Sequence, residues 1–169
     1  AGMVAAHDAF REMFAAGVID RMPRLVGVQL QACDPTARAF HEGRDAVTPV
    51  DKKPSLSDAI MNNNPYWGRY CLQAVRETGG TMISVSDADF IRTIRELGRE
   101  EGLFTEPAGS VSVAALRYLV KVPGFKNPGL TVCNLTGHGL NVPQVATDES
   151  ETPGVIPPTV EAVEAFLQS

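Results

Sequence analysis

Two short apolar runs limit what this chain can fold into. Leu25-Val26-Gly27-Val28 is continuous and too short for a buried helix, and Met82 to Val85 is its counterpart further along. Runs of this kind read as strands covered on both faces, which is the habit of parallel sheets. Between and after them the pattern changes to helical spacing. Met3, Phe10, Met13 and Phe14 recur along a first helix over 3–16, with Gly17 as its stop. Pro35 to Glu42 follows Asp34 as a short helix, and Ser55 to Met61 suggests another. Asn62-Asn63-Asn64-Pro65 is a turn, and the helix after it runs to Thr78, before Gly79-Gly80. Ser86 and Asp89 have capping-box spacing ahead of the stripe Phe90, Ile94 and Leu97. Pro107 sits in the first turn of a further helix with Val111, Ala114, Ala115, Tyr118 and Leu119 on its inner face. Leu130 to Leu135 reads as a third strand. Strands separated by helices require crossovers, so the expected fold class is α/β, a mostly parallel three-layer αβα sheet.

Composition narrows the function. The formal net charge is -5 and there is no lysine- or arginine-rich run, which argues against a nucleic-acid partner or an anionic membrane surface. No apolar run approaches the roughly 20 residues that span a bilayer. Cys33, Cys71 and Cys133 are far apart and odd in number, so they read as reduced thiols of a cytoplasmic protein. With His7, His41 and His138 they lack zinc-ligand spacing, and no metal is expected.

Two segments have residues suited to a ligand. Thr136-Gly137-His138-Gly139-Leu140 follows the third strand, at the end of a parallel strand where ligands gather. Its glycines let backbone approach a bound group closely. Thr105-Glu106-Pro107-Ala108-Gly109-Ser110 opens a helix, and helix N-termini attract anions. Taken locally, each also reads as ordinary material, a strand-to-loop turn and a capped helix packed on a sheet, and the local residues favour that plainer reading.

Several segments agree in order with one family. The phosphate-loop tail at Gly2, MPRLVGVQ, the Asn-Pro turn, REEGLFTEPAGSVSVAAL and TVCNLTGHGL together resemble the C-terminal part of threonine synthases, which are fold-type-II pyridoxal-phosphate (PLP) enzymes. The resemblance runs from about residue 2 to 143. It implies that residues 1–145 are the C-terminal part of a PLP-binding large domain. Residues 146–169 then form an acidic, proline-rich tail that wraps the surface and ends in a short helix.

The resemblance also implies a site. Thr136 would hydrogen-bond the pyridine nitrogen of the cofactor, and Gly137 and Gly139 would keep the ring edge uncrowded. Glu106 and Ala108 would line the cofactor cavity, and the Gly2 amide would face its phosphate. The parent reaction is O-phospho-L-homoserine plus water to L-threonine plus phosphate. The family's covalent lysine lies in a serine-rich turn that has no match here. Lys52, Lys53, Lys121 and Lys126 are the lysines of the chain, and none has that context. No catalytic residue is therefore assigned, and the chain by itself is expected to be inactive.

The family often has asparagine where Met3 stands, which keeps cysteate synthase and threonine-dehydratase-like lyases as alternatives. A non-catalytic binding module built on half the fold is another. The chain opens on Ala1-Gly2 and is expected to be a fragment, or to start at Met3 behind two added residues. Half a sheet exposes an edge, so self-association or binding to the missing N-terminal part is expected.

Overall fold

A computed structural model describes residues 1–126, 129–147 and 155–168. Helix α1 spans Gly2–Ala15, and Gly17 ends it at φ +70°, a conformation that costs glycine little. Strand β1 spans Val26–Leu30 and α2 spans Pro35–His41. After an irregular stretch comes α3, Gly68–Glu77, closed by Gly79 at φ +63°. Strand β2 is Thr81–Val85 and α4 is Asp87–Glu96. The expected capping box is present: Ser86 accepts from the Asp89 amide, and the Asp89 carboxylate accepts from the Ser86 amide. A π-turn at Leu97–Glu101 prolongs α4 until Gly102 stops it at φ +67°. Helices α5, Pro107–Ala114, and α6, Leu116–Leu119, follow. Two more helices come late in the chain, α7 at Gln144–Thr147 and α8 at Val160–Leu167.

The strands β1 and β2 pair in parallel, from Val26 opposite Thr81 to Leu30 opposite Val85. The chain crosses between them through α2 and α3, as the sequence pattern requires. Alternation along the strands then builds two cores. Leu30, Ile83 and Val85 join Phe90, Ile94, Val111, Ala114 and Leu119 from α4, α5 and α6. Met82 joins Met3, Ala37, Phe40 and Val75 from α1, α2 and α3. The sheet thus lies between two helical layers, and the αβα architecture stands. Gly27 faces the second core, where an added Cβ would meet Met3 Cε at 2.7 Å and overlap Met82. Phe90 is fully buried at the centre of the first core. Removing a side chain of that size from water is worth about 2–3 kcal/mol.

Two expectations change. The segment Leu130–Leu135 is not a strand of the sheet: it has no β-pairing, and Leu130 and Val132 are almost wholly exposed. Its composition suits a strand, but a strand needs a neighbour for its amides, and the sheet of the described residues has only β1 and β2. The helix expected over Ser55–Met61 is irregular chain with a bend and a single turn. There Asp87 accepts from the Ser55 hydroxyl and the Leu56 amide, both at 2.8 Å, and this long-range grip replaces helical bonding. The tail is described only in part: its terminal helix is α8, and residues 148–154 of the expected surface wrap lie outside the described residues. Val145 is buried in the first core, so the packed unit reaches at least that far.

Candidate functional site

The end of α4 determines where the site begins. Gly102 turns the chain, and the Leu103 amide bonds back to Leu97 O at 3.0 Å. Residues 103–106 then run extended until Pro107, which lacks an amide hydrogen and can open α5 without loss. Glu106 O accepts from the Gly109 and Ser110 amides and so closes the first turn.

Against this stretch lies the glycine segment. Thr105 and His138 form an antiparallel bridge. The Glu106 amide donates to Gly137 O at 3.1 Å, and the Gly139 amide donates to Phe104 O at 2.9 Å. Further back, Ser112 Oγ donates to Asn134 O at 3.0 Å, and Cys133 Sγ lies 3.7 Å from Ser112 O. Helix α5 and the turn before it therefore hold residues 133–139 although no strand pairs with them.

Space is tight around these glycines. A Cβ on Gly109 would come within 3.1 Å of Gly137 O, and one on Gly139 would run into the Phe104 ring. One on Gly137 would collide with the Glu106 carboxylate. That carboxylate is held from the other side, where Asn141 Nδ2 donates to Glu106 Oε2 at 2.8 Å. His138 is engaged locally. Its Nδ1 accepts from the Leu140 amide at 3.1 Å and its ring meets Phe104 edge-on at 5.6 Å, so it caps the 3-10 turn Gly139–Asn141.

Thr136 is exposed, and among the described residues its hydroxyl has no hydrogen-bond partner. A hydroxyl can donate to a ring nitrogen without transferring its proton. The donor, the bare backbone of Gly137 beside it and the fixed Glu106 carboxylate suit one edge of a flat heteroaromatic ring such as PLP. The fit covers that edge.

Thr136, Gly137 and Glu106 come together on one surface. Ala108 lies in the same turn but is buried, so it contributes packing. Gly2 stands apart. It is exposed at the start of α1, in the opposite helical layer, and nothing lies within 4 Å of where its Cβ would be. The first turn of α1 has no side-chain cap, which leaves its amides open to an anion. Lys52, Lys53, Lys121 and Lys126 are all exposed. Lys52 pairs with Asp58 at 3.8 Å, and Lys121 lies 5.8 Å above the Tyr118 ring. Burial pushes the thiols of Cys33, Cys71 and Cys133 up, so none of them is a ready nucleophile.

The sequence reading missed Asn141, Phe104 and Ser112. Asn141 lies 35 residues from the carboxylate it holds, and no local pattern marks such a pair. A groove of about 350 Å³ between α1 and α3, lined by His7, Asp8, Arg11, Trp67 and Tyr70, shares no residue with the Glu106–Gly137 surface. We place the candidate site on that open surface, because the unpartnered donor and the glycine contacts are there. No helix among the described residues is long and apolar enough to cross a membrane.

Residues 2–137 match the family model described as pyridoxal-phosphate dependent enzyme. The chain is 35% identical over 161 residues to threonine synthase of Methanosarcina acetivorans, which covers 95% of this chain and 40% of that protein. It is 32% identical over 144 residues to threonine synthase of Methanocaldococcus jannaschii, covering 85% of this chain and 36% of that one. Among solved structures, threonine synthase from Escherichia coli aligns with a TM-score of 0.60 at 21% identity, over 85% of this chain and 32% of that chain. At that identity the match shows a shared fold. The chain spans less than half the length of these curated relatives.

Proposed function

The chain belongs to the pyridoxal-phosphate dependent enzyme family, and on that premise we propose that it supplies the ring-nitrogen side of the cofactor pocket of a threonine synthase. The reaction of the parent protein is the conversion of O-phospho-L-homoserine and water to L-threonine and phosphate. The observation that carries this reading is the exposed, unpartnered Thr136 hydroxyl beside the close approach of Gly137 to Glu106. The similarity to two archaeal threonine synthases supports the choice of substrate.

When bound, pyridoxal phosphate supplies an electron-withdrawing ring that stabilises negative charge on an amino-acid substrate. Thr136 would donate one hydrogen bond to the ring nitrogen without protonating it. Gly137 and Gly139 keep the ring edge clear, Glu106 lines the cavity beside it, and Ala108 packs behind. The Gly2 amide and the open first turn of α1, in the opposite helical layer, would face the phosphate. Residues 1–145 act as the C-terminal part of the large domain, and 146–169 as its tail.

The chain by itself is inactive in this reading, because all four lysines lie in exposed settings. It works in the cytoplasm, and it associates with itself or with the lysine-bearing N-terminal part. The test is labelling with pyridoxal phosphate followed by borohydride and peptide mapping. Scattered, substoichiometric modification is expected; one lysine labelled to stoichiometry overturns the inactivity. For the pocket itself, titration with pyridoxine 5'-phosphate, which has no aldehyde and needs no lysine, should give saturable binding that Thr136→Val weakens. Absence of binding by the unaltered chain counts against the reading.

A further inference from the structure

We propose that Asn141 is a positioning residue that fixes the Glu106 carboxylate over Gly137, so that one oxygen stays presented beside Thr136; the inference rests on the ring-nitrogen reading of this surface. Asn141 Nδ2 donates to Glu106 Oε2 at 2.8 Å. Oε1 has no hydrogen-bond partner among the described residues. It is also one of the atoms that a Cβ on Gly137 would strike, so it lies against the Gly137 backbone.

Backbone geometry sets both ends of this contact. The Glu106 amide is tied to Gly137 O, which places the base of the glutamate. The turn Gly139–Asn141 is closed by the Asn141 amide bonding to His138 O at 3.0 Å, which places the base of the asparagine. The glutamate side chain between them has three rotatable bonds, and it is half-buried. Without a partner at its tip it would sample several rotamers. A neutral amide donor to a carboxylate is a charge-assisted bond, strong enough to select one of them.

The consequence is an acceptor, Glu106 Oε1, fixed against the backbone of Gly137, the residue next to the Thr136 hydroxyl donor. A heteroaromatic ring edge with an acceptor nitrogen and an adjacent polarised C–H matches that pair. Asn141 touches neither the ring nor the substrate in this arrangement. It acts only through Glu106.

The experiment uses the full chain and two readouts. The first needs no ligand. In NMR spectra, cross-relaxation between the Glu106 γ protons and the Gly137 α protons is expected in the unaltered chain. It should be lost in Asn141→Ala while the Glu106 and Gly137 amide peaks keep their folded positions. Cross-relaxation that persists in Asn141→Ala overturns the proposal.

The second readout is affinity for pyridoxine 5'-phosphate. Asn141→Ala should weaken it about tenfold, the loss that accompanies one hydrogen bond to a charged group. Asn141→Asp should weaken it further, by setting two carboxylates together. Adding Glu106→Gln to Asn141→Asp rebuilds the contact with donor and acceptor exchanged, and should restore the cross-relaxation. A purely structural role for Asn141 predicts no such rescue. If the unaltered chain binds no pyridoxine 5'-phosphate, the ring-nitrogen reading fails while the cross-relaxation still decides whether Asn141 positions Glu106.

Discussion

The Glu106 carboxylate occupies the space that any side chain on Gly137 would need. The contact joins the turn before α5 to the glycine segment, two pieces of chain that share only the isolated bridge Thr105–His138. It also separates two kinds of glycine in this protein. At Gly137 the obstructing atoms are the free end of a flexible side chain. At Gly80 the obstruction is the carbonyl of Leu25, which is backbone.

The two glycines should therefore fail differently when replaced. Gly80→Ala has to move the chain leading into β1, and should cost about 3 kcal/mol in urea denaturation, the upper part of the overpacking range. Gly137→Ala pushes Glu106 aside but lowers the backbone entropy of the unfolded chain, so its stability should change by less than about 1 kcal/mol. Its affinity for pyridoxine 5'-phosphate should nevertheless fall, because Glu106 leaves Asn141. Equal destabilisation of both variants would count against this distinction.

The junction of β2 and α4 should respond to acid. Burial, the largest single influence on Asp89, pushes its carboxyl up. Hydrogen bonds from the Ser86 and Tyr118 hydroxyls and the Ser86 amide, with the Arg92 charge, outweigh burial and hold it below its ordinary value. Tyr118 is pushed up in return, first by its bond to Asp89 and then by burial. A carboxyl lowered on folding contributes stability that is complete above its unfolded value, about 3.9. That contribution disappears as the pH falls through the folded value. Asp89→Asn should thus be less stable at pH 6 and lose less between pH 4 and the acid end. Ser86→Ala should cost about 1 kcal/mol at neutral pH, as cap removal does. Urea curves at several pH values measure both, and an unchanged acid slope in Asp89→Asn would remove Asp89 from this role.

How far the fold was legible depends on how local each cause is. The Ser86–Asp89 box, the stops at Gly17 and Gly79, and Pro107 at the start of α5 are decided within four residues, and each stands where the sequence puts it. The two apolar runs became β1 and β2 because burial on both faces leaves a mark in composition. Ser55–Met61 misled because Asp87, more than thirty residues away in sequence, holds its backbone. Leu130–Leu135 misled because composition records the tendency to pair and says nothing of whether a partner is at hand. At the site, Thr136, Gly137 and Glu106 were named through family resemblance, and Gly137 does lie against Glu106. Asn141 was not, since its role exists only once residues 106 and 141 meet.

A distant contact of the same kind caps α2. Gln29, on the α2 side of β1, accepts from the Ala37 amide through Oε1 at 2.8 Å. That amide is one of the first-turn donors that a helix cannot satisfy itself, and Asp34, the residue at the cap position, makes no side-chain cap bond. Gln29→Ala should cost about 1 kcal/mol, the usual net worth of one such bond. Gln29→Glu keeps the acceptor and should cost less. If both variants lose the same stability, the bond to Ala37 is not what Gln29 contributes.

The unpaired segment before Thr136 leads to the last prediction. Leu130 is 97% exposed and Val132 86%, so two apolar side chains at strand spacing stand in water beside backbone that no β-partner covers. Such a segment is a template for another strand. In a solution of this chain alone, a second copy is what can cover it. Sedimentation or light scattering over rising protein concentration should therefore show association. Leu130→Lys with Val132→Lys should abolish it, because charge on an exposed edge opposes pairing. These positions are away from the Glu106–Asn141 contact, so binding of pyridoxine 5'-phosphate should survive in the double variant. A chain that stays monomeric at high concentration, or one whose association ignores both lysines, would show that this segment is not the sticky edge.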